Sequence, residues 1–191
     1  MRILLGTMGL AAGALAMGIA AAAAPAAKGA HLTVSGPSLK QGFVEANLLN
    51  AFGCTGSNLS PELKWLGAPA GTKSFVVTLY DPDDHDNPSG WWHWVVYDIP
   101  GSVSQLPANA GLEKNGQLPA GALQGRTDLG TLAYHGPCPD KGDAPHRYTF
   151  TVYALDVAKL AVDAGASGAM VVETAHDHLL GQGRLVVRFG R

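Results

Sequence analysis

The chain has 191 residues, of which 47% are hydrophobic and 15% are charged, and its formal net charge is −2. This amount of apolar material is sufficient for one domain with a hydrophobic core. The slightly acidic balance offers no basic surface for nucleic acid, so we expect no nucleic-acid partner.

The N-terminal segment has the pattern of a secretory signal peptide. Met1-Arg2 is a short positive region, Ile3 to Ile19 is apolar, and Ala20 to Ala24 supplies the small residues that a signal peptidase requires. A membrane anchor is the alternative, but Ala and Gly dominate the apolar region, and no later stretch reaches membrane-spanning length. We therefore predict a signal peptide at residues 1–24, a periplasmic or secreted protein with no transmembrane segment after cleavage, and a single domain over residues 31–191.

The rest of the chain is typical of a mainly β domain with a few helices. Runs rich in Val, Phe, Thr and Tyr predict strands, and Ser167 can cap a helix that Gly181 would end. The strands are not separated by regular helices, which favours antiparallel pairing. The predicted elements are short strands such as Leu32-Thr33-Val34, strands over 74–80 and 91–99, a mostly irregular segment over 102–145, a strand over 147–155, a helix from Ser167 to Leu180 and a strand over 183–189.

Cys54 and Cys138 are the two cysteines of the chain. An even number of cysteines in an exported protein predicts a disulfide, which would close a long loop and stabilise the fold by about 4–5 kcal/mol. Two free buried thiols are the alternative. A metal site is less favoured, because neither cysteine belongs to a C-x-x-C pair or has a histidine at ligand spacing.

Two widely separated segments carry the side chains best suited to ligand chemistry. The first contains Asp81 and His93, and the second contains His146 and Tyr148 at the start of a predicted strand. Strands that end in such residues can bring them together at one edge of a sheet. Two imidazoles and a phenol can donate hydrogen bonds to a phosphate or carboxylate, and an aspartate can fix the tautomer of one imidazole. We therefore predict a site for a small anionic ligand, with Arg147 on the opposite face of its strand.

The spacing of other polar residues does not favour a metal site. The acidic loop that begins at Asp81 departs from a calcium loop, because Asp86 stands at its sixth position and Trp92 at its twelfth. His176 and His178 are two residues apart on the predicted helix and do not share a face. We therefore predict no metal and no cofactor.

Together, these segments resemble the phosphatidylethanolamine-binding protein (PEBP) family, in its bacterial Raf-kinase-inhibitor-like branch. The resemblance covers roughly residues 32–191, and its motifs are specific in combination. Its main stretches are Phe52-Gly53-Cys54, Asn58-Leu59-Ser60-Pro61, Tyr80-Asp81-Pro82-Asp83, Gly90-Trp91-Trp92-His93-Trp94, Gly136-Pro137-Cys138-Pro139 and Pro145-His146-Arg147-Tyr148.

The resemblance implies a PEBP-like fold, with a large central antiparallel sheet, a second smaller sheet and a few helices. It also implies a small pocket that accepts phosphate, acetate or phosphorylethanolamine. The pocket residues implied by position are Asp81, Trp91, His93, Gly136, Cys138, Pro139, His146 and Tyr148. Two departures from the family pattern fall at the implied rim: Asp84-His85 replaces Ala-Pro, and Asp140 stands where a second proline is common.

Three functions are compatible with the sequence. The leading hypothesis is an exported protein that binds a small phosphate-bearing ligand, with an affinity that falls as pH rises through the pKa values of His93 and His146. The second is an interaction module that inhibits a partner kinase or protease. The third, and least favoured, is a hydrolase with His93 or His146 as general base, because the sequence places no nucleophile beside either histidine.

Overall fold

The computed structural model of the protein describes residues 29–114 and 116–191. The predicted signal peptide at residues 1–24 lies outside the described residues. Within them, no helix combines the length and the apolar character needed to cross a membrane.

The described part of the chain is built mainly from strands. The three long central strands predicted over 74–80, 91–99 and 147–155 are confirmed, and each is one residue longer than predicted. The elements are β1 (Ala30–His31), β2 (Thr33–Ser35), β3 (Leu63–Leu66), β4 (Ser74–Asp81), β5 (Trp91–Pro100), β6 (Gln105–Leu106), β7 (Leu123–Gln124), β8 (His146–Leu155), α1 (Gly168–Asp177) and β9 (Leu179–Phe189), with 3₁₀ turns at Pro37–Leu39 and Glu45–Asn47.

The strands form one large and one small sheet, as predicted. The large sheet has six strands in the order β1-β9-β8-β4-β5-β7, and the small sheet has three in the order β2-β3-β6. The pairings in both sheets are antiparallel except that of β1 with β9, which is parallel. The large sheet is therefore mixed at one edge rather than wholly antiparallel.

The central strands are apolar on both faces because the large sheet is covered on both sides. Phe75, Val77 and Trp94 pack with residues of the small sheet in one hydrophobic cluster. Val76 and Val95 belong to a second cluster, which includes residues of α1 on the opposite side. Strands buried on both faces read as continuous hydrophobic runs instead of an alternating pattern. Packing on both faces holds the central strands in place, and the ends of these strands carry the polar residues of the site.

The predicted helix begins where expected but ends earlier. Ser167 Oγ accepts a hydrogen bond from Met170 N at 3.4 Å, so Ser167 is the N-cap. The helix ends at Asp177 instead of Leu180, and β9 begins at Leu179 instead of Gly183. Gly181 is not a helix stop: it pairs with Ala30, and a Cβ there would lie 2.4 Å from the Ala30 carbonyl oxygen. The glycine is needed for the close approach of two strands.

Candidate functional site

The large sheet brings the predicted site residues to one edge. Asp81 is the last residue of β4 and pairs with Trp91, the first residue of β5. The neighbour of β4 on its other side is β8, which starts at His146. Because β4 is antiparallel to both neighbours, its C-terminal end lies beside their N-terminal ends. His93 and Tyr148 follow two residues inside β5 and β8.

These strand ends surround a cavity of about 270 Å³. All eight residues predicted as a ligand site line it: Asp81, Trp91, His93, Gly136, Cys138, Pro139, His146 and Tyr148. Further lining comes from Leu49, Phe52, Asp84, Asp86, Leu129, His135 and Asp140. The predicted residues thus meet around one cavity, and their role in binding stays a prediction.

Asp81 and His146 form a buried pair in the wall of this cavity. His146 Nδ1 lies 2.8 Å from Asp81 Oδ2, and the two side chains are 5% and 2% exposed. The other oxygen, Asp81 Oδ1, accepts from the Asp83 backbone N–H at 2.9 Å. Because Nδ1 is hydrogen-bonded to Asp81, Nε2 is the ring nitrogen of His146 that is available for other contacts. It is buried and has no hydrogen-bond partner.

The carboxylates around His146 favour its charged form. Burial lowers the pKa of His146, but the hydrogen bond that it donates to Asp81 and the charges of Asp81, Asp143 and Asp83 outweigh burial and raise the pKa above 6.5. The charged form of His146, in which Nε2–H is a charged hydrogen-bond donor, is therefore favoured to higher pH than in a free imidazole.

His93 differs from His146 although it lines the same cavity. Its Nδ1 lies 3.0 Å from the His135 backbone carbonyl, to which it donates. Burial lowers the pKa of His93 to about 4, against the opposing effect of that hydrogen bond. His93 is thus neutral under ordinary conditions, and Nε2 is an acceptor. The pH dependence of affinity predicted from the two histidines stays a prediction, and with a pKa of about 4 for His93 we expect it to come from His146 above that pH.

Tyr148 supplies the aromatic wall between the two histidines. Its ring centroid is 5.3 Å from that of His93 and 6.2 Å from that of His146. Burial, together with the charge of Asp81, raises the pKa of Tyr148, so the phenol stays protonated. The cavity therefore contains a cationic donor, a neutral acceptor and a phenolic hydroxyl.

The segment from His135 to Pro139 closes one side of the cavity and is held by several contacts. Gly136 N–H donates to Asn58 Oδ1 at 3.0 Å, and a Cβ on Gly136 would lie 1.9 Å from the Asn47 carbonyl oxygen. Cys138 is paired with Cys54 in a disulfide, with Cα atoms 6.1 Å apart. The disulfide thus joins the rim of the cavity to the segment that precedes β3.

A surface ion pair holds the loop that follows Asp81. Arg147 donates to Asp83 from its backbone N–H and from its guanidinium, with distances between 2.6 and 2.8 Å. The hydrogen bond from Arg147 lowers the pKa of Asp83 to about 2. Arg147 lies on the opposite face of β8 from His146 and Tyr148, as predicted, and it fixes the β4–β5 loop to the start of β8.

The mouth of the cavity is acidic. Asp84, Asp86 and Asp140 line it in addition to the central Asp81, and no lysine or arginine occurs among the described lining residues. A bare multivalent anion would meet repulsion from these carboxylates, whereas a group with a positive end would be attracted.

Two further residues near the mouth were not predicted from the sequence as site residues. His85 and Asp143 place one donor atom each within 4.8 Å of one another and of a donor atom of His146. His85 belongs to the Asp84-His85 pair that replaces the Ala-Pro of the family pattern, and this replacement was the signal in the sequence for it. Asp143 is three residues before His146, but only the folded loop turns its carboxylate towards the imidazole.

Known proteins give an independent view of this chain. The family model described as phosphatidylethanolamine-binding protein matches residues 40–190. YbcL of Escherichia coli strain K12 is 48% identical over 147 residues, which cover 76% of this chain and 80% of YbcL. LppC of Mycobacterium tuberculosis strain H37Rv, described as a putative lipoprotein, is 35% identical over 169 residues, which cover 88% of this chain and 77% of LppC.

Solved structures agree with the family match. The crystal structure of Escherichia coli YbcL, described as a new member of the mammalian PEBP family, aligns with a TM-score of 0.80 at 42% identity and covers 84% of this chain and 98% of that one. The putative PEBP homologue CT736 of Chlamydia trachomatis aligns with a TM-score of 0.63 at 29% identity and covers 86% of this chain and 99% of that one. The chain belongs to the phosphatidylethanolamine-binding protein family.

Proposed function

We propose that this protein binds a small phosphate-bearing ligand of the phosphorylethanolamine type in the cavity at the end of β4. One observation carries the proposal: the buried His146 Nε2 has no hydrogen-bond partner, with Asp143 Oδ2 3.6 Å away, while Asp81 holds the opposite ring nitrogen at 2.8 Å. A buried polar atom without a partner costs free energy, and a ligand oxygen at this position would satisfy it.

The two histidines offer a phosphate group both a donor and an acceptor. Protonated His146 donates from Nε2, and a phosphate oxygen accepts in a charge-assisted hydrogen bond. Neutral His93 has an acceptor nitrogen, which suits a protonated phosphate oxygen. A singly protonated phosphate ester fits this combination better than a fully ionised one.

The acidic mouth favours a ligand that also carries a positive charge. Asp84, Asp86 and Asp140 are placed to attract an ammonium group near the cavity entrance. A zwitterionic head group can therefore direct its phosphate to His146 and its amine to these carboxylates. Inorganic phosphate has no such positive end and should bind more weakly.

The cavity volume limits how much of a lipid could enter. About 270 Å³ is slightly below the usual range of roughly 300–1,000 Å³ for sites that enclose drug-sized ligands. This volume suits a head group and leaves no room for acyl chains. The proposed ligand is therefore a free head group, or one presented on a larger molecule.

Calorimetry on the protein in a buffer that contains a metal chelator tests this proposal. Phosphorylethanolamine should bind saturably to the wild type, more tightly than inorganic phosphate, and His146→Gln should abolish the binding. The matched control is His178→Gln, because His178 forms the same type of pair with Asp156 at 3.0 Å on the surface. Absence of binding to the wild type would contradict the proposal and would favour the protein-partner alternative.

We also propose that the protein acts outside the cytoplasm. The signal-peptide pattern of residues 1–24, the Cys54–Cys138 pair and the relative described as a putative lipoprotein support this location. Cell fractionation of the full chain should find it outside the cytoplasm and shortened at its N-terminus. A full-length cytoplasmic product would contradict export.

A further inference from the structure

We propose that His85, Asp143 and His146 bind a divalent transition-metal ion, with zinc as the best match, at the mouth of the cavity. One donor atom from each residue lies within 4.8 Å of the others. Two ligands of a tetrahedral zinc ion lie roughly 3.4 Å apart when each bond is about 2.0–2.1 Å long. The three side chains are therefore close to the spacing of metal ligands before any adjustment of the exposed His85.

The spacing of Asp143 and His146 is compatible with two ligands of one ion. Asp143 Oδ2 lies 3.6 Å from His146 Nε2, which is beyond hydrogen-bond distance. His146 Nε2 is also a buried atom without a partner. The two atoms are close enough for an ion pair when His146 is protonated, and their separation also fits two ligands of one metal ion when Nε2 is not protonated.

Asp81 gives His146 the support that a metal ligand usually has. A histidine that binds a metal commonly donates its other ring N–H to a carboxylate, which fixes the tautomer and strengthens the ligand. His146 Nδ1 makes this contact with Asp81 Oδ2 at 2.8 Å, and the pair is almost fully buried. Nε2 is the ring nitrogen left to carry the lone pair towards Asp143 and His85.

The surroundings favour a cation, and the ligand types select its class. Asp84, Asp86 and Asp140 line the same mouth, and the described lining contains no lysine or arginine to repel a metal ion. Two imidazoles and one carboxylate suit zinc better than calcium or magnesium, which prefer oxygen ligands. Three protein ligands leave a fourth position for water or for an anionic group from the cavity.

This inference does not depend on the phosphorylethanolamine proposal, although both use His146. Without metal, Nε2 carries a proton that an anion can contact. With metal, Nε2 is a ligand, and an anion would contact the metal ion. Neither state requires the other to exist.

A zinc titration without any phosphate ligand tests the site. Untagged protein, first freed of metal with a chelator, should bind one Zn²⁺ per chain in competition with a chromophoric chelator. His85→Ala, at an exposed position, and Asp143→Asn should each weaken binding at least about tenfold, and Asp81→Asn about 10–100-fold. His176→Ala, also at an exposed histidine, is the matched control and should bind as the wild type does.

Cobalt gives a second measurement that a fold defect would not imitate. Co²⁺ in the wild type should show the intense visible absorption of four-coordinate cobalt, and His85→Ala should lose it while keeping the wild-type circular dichroism spectrum. Zinc binding of equal affinity in wild type and His85→Ala, or no stoichiometric binding, would overturn the proposal. The titration contains no phosphate ligand and the calorimetry above contains a chelator, so each proposal can fail alone.

Discussion

Replacing Asp81 with asparagine removes one buried negative charge while nearly keeping the shape of the side chain. Asp81 and His146 are 2% and 5% exposed, and their contact is 2.8 Å long. The amide oxygen can still accept from His146 Nδ1, but the amide nitrogen then stands where Asp81 Oδ1 accepts from the Asp83 backbone N–H, so that one hydrogen bond is lost. The substitution thus separates the charge of Asp81 from its role in packing.

The charge of His146 should fall in this variant. Burial lowers the pKa of His146, and the Asp81 hydrogen bond is the largest of the effects that raise it above 6.5. At pH 6.5 the wild-type imidazole is more than half protonated, whereas we expect the imidazole in Asp81→Asn to be mostly neutral. One charge-assisted hydrogen bond to the ligand is worth about 1.5–3 kcal/mol, so Kd should rise roughly 10–150-fold.

The assay is calorimetry with phosphorylethanolamine in a chelating buffer at several values from about pH 5.5 to 8.5. Wild-type affinity should fall as pH rises through the raised pKa of His146, and the midpoint should move to lower pH in Asp81→Asn. Asp156→Asn, at the surface pair with His178, is the matched control and should leave both values unchanged. Equal Kd and equal midpoint in wild type and Asp81→Asn would refute the reasoning.

The same pKa shift predicts how stability depends on pH. Because the folded-state pKa of His146 is raised, its contribution to stability is complete below the unfolded value of about 6.5 and is lost as pH rises through the folded-state pKa. In a buffer with a chelator, the Tm of the wild type should therefore fall more than the Tm of Asp81→Asn as pH rises through the folded-state pKa of His146. A parallel dependence in the two proteins would contradict this assignment.

The remaining predictions concern the neighbours of this pair. Replacing Cys54 and Cys138 with serine should lower the free energy of unfolding by about 4–5 kcal/mol in urea titrations, because the disulfide no longer links two residues 84 positions apart and the unfolded chain gains entropy. An unchanged urea midpoint would count against the disulfide. Gly136→Ala should lower the free energy of unfolding by about 1–3 kcal/mol or more, because the new Cβ would lie 1.9 Å from a backbone atom. Gly142→Ala is the control: a Cβ there would meet nothing within 4 Å, so this variant should show only the cost of a φ of +95°. His93→Gln should weaken binding but leave the pH midpoint in place, because the pKa of His93 is about 4; a displaced midpoint would assign the titration to His93 instead.

The sequence predicted the central strands well because their burial leaves a strong pattern. The runs that begin at Phe75, Trp91 and Arg147 are rich in β-branched and aromatic residues and are bounded by turn formers. The parallel strand Ala30–His31 was not predicted, because two residues carry no periodicity of their own. The helix end was misplaced because Gly181 is a typical C-terminal residue of a helix, whereas here it allows a close strand contact.

The candidate site could be predicted where its residues lie at the ends of strong strands. Asp81 and His146 have positions set by strand pairing, whereas His93 lies at an irregularity in the pairing of β4 with β5, between Trp92 and Trp94. His85 and Asp143 lie on loops, and their distance from His146 depends on loop conformations that no periodicity describes. The different charge states of the two histidines were also not predictable, because they depend on which one has a buried carboxylate partner.

The most direct test of the central claim is the ¹⁵N NMR spectrum of the histidine side chains in chelated protein, with and without phosphorylethanolamine. Binding at the proposed site should shift the Nε2 resonance of His146 in a saturable way and leave the exposed His176 unchanged. It should also raise the pH at which His146 loses its proton, because an anion stabilises the imidazolium. Saturable binding that leaves the His146 resonances unmoved would contradict the claim that this buried nitrogen is the ligand contact.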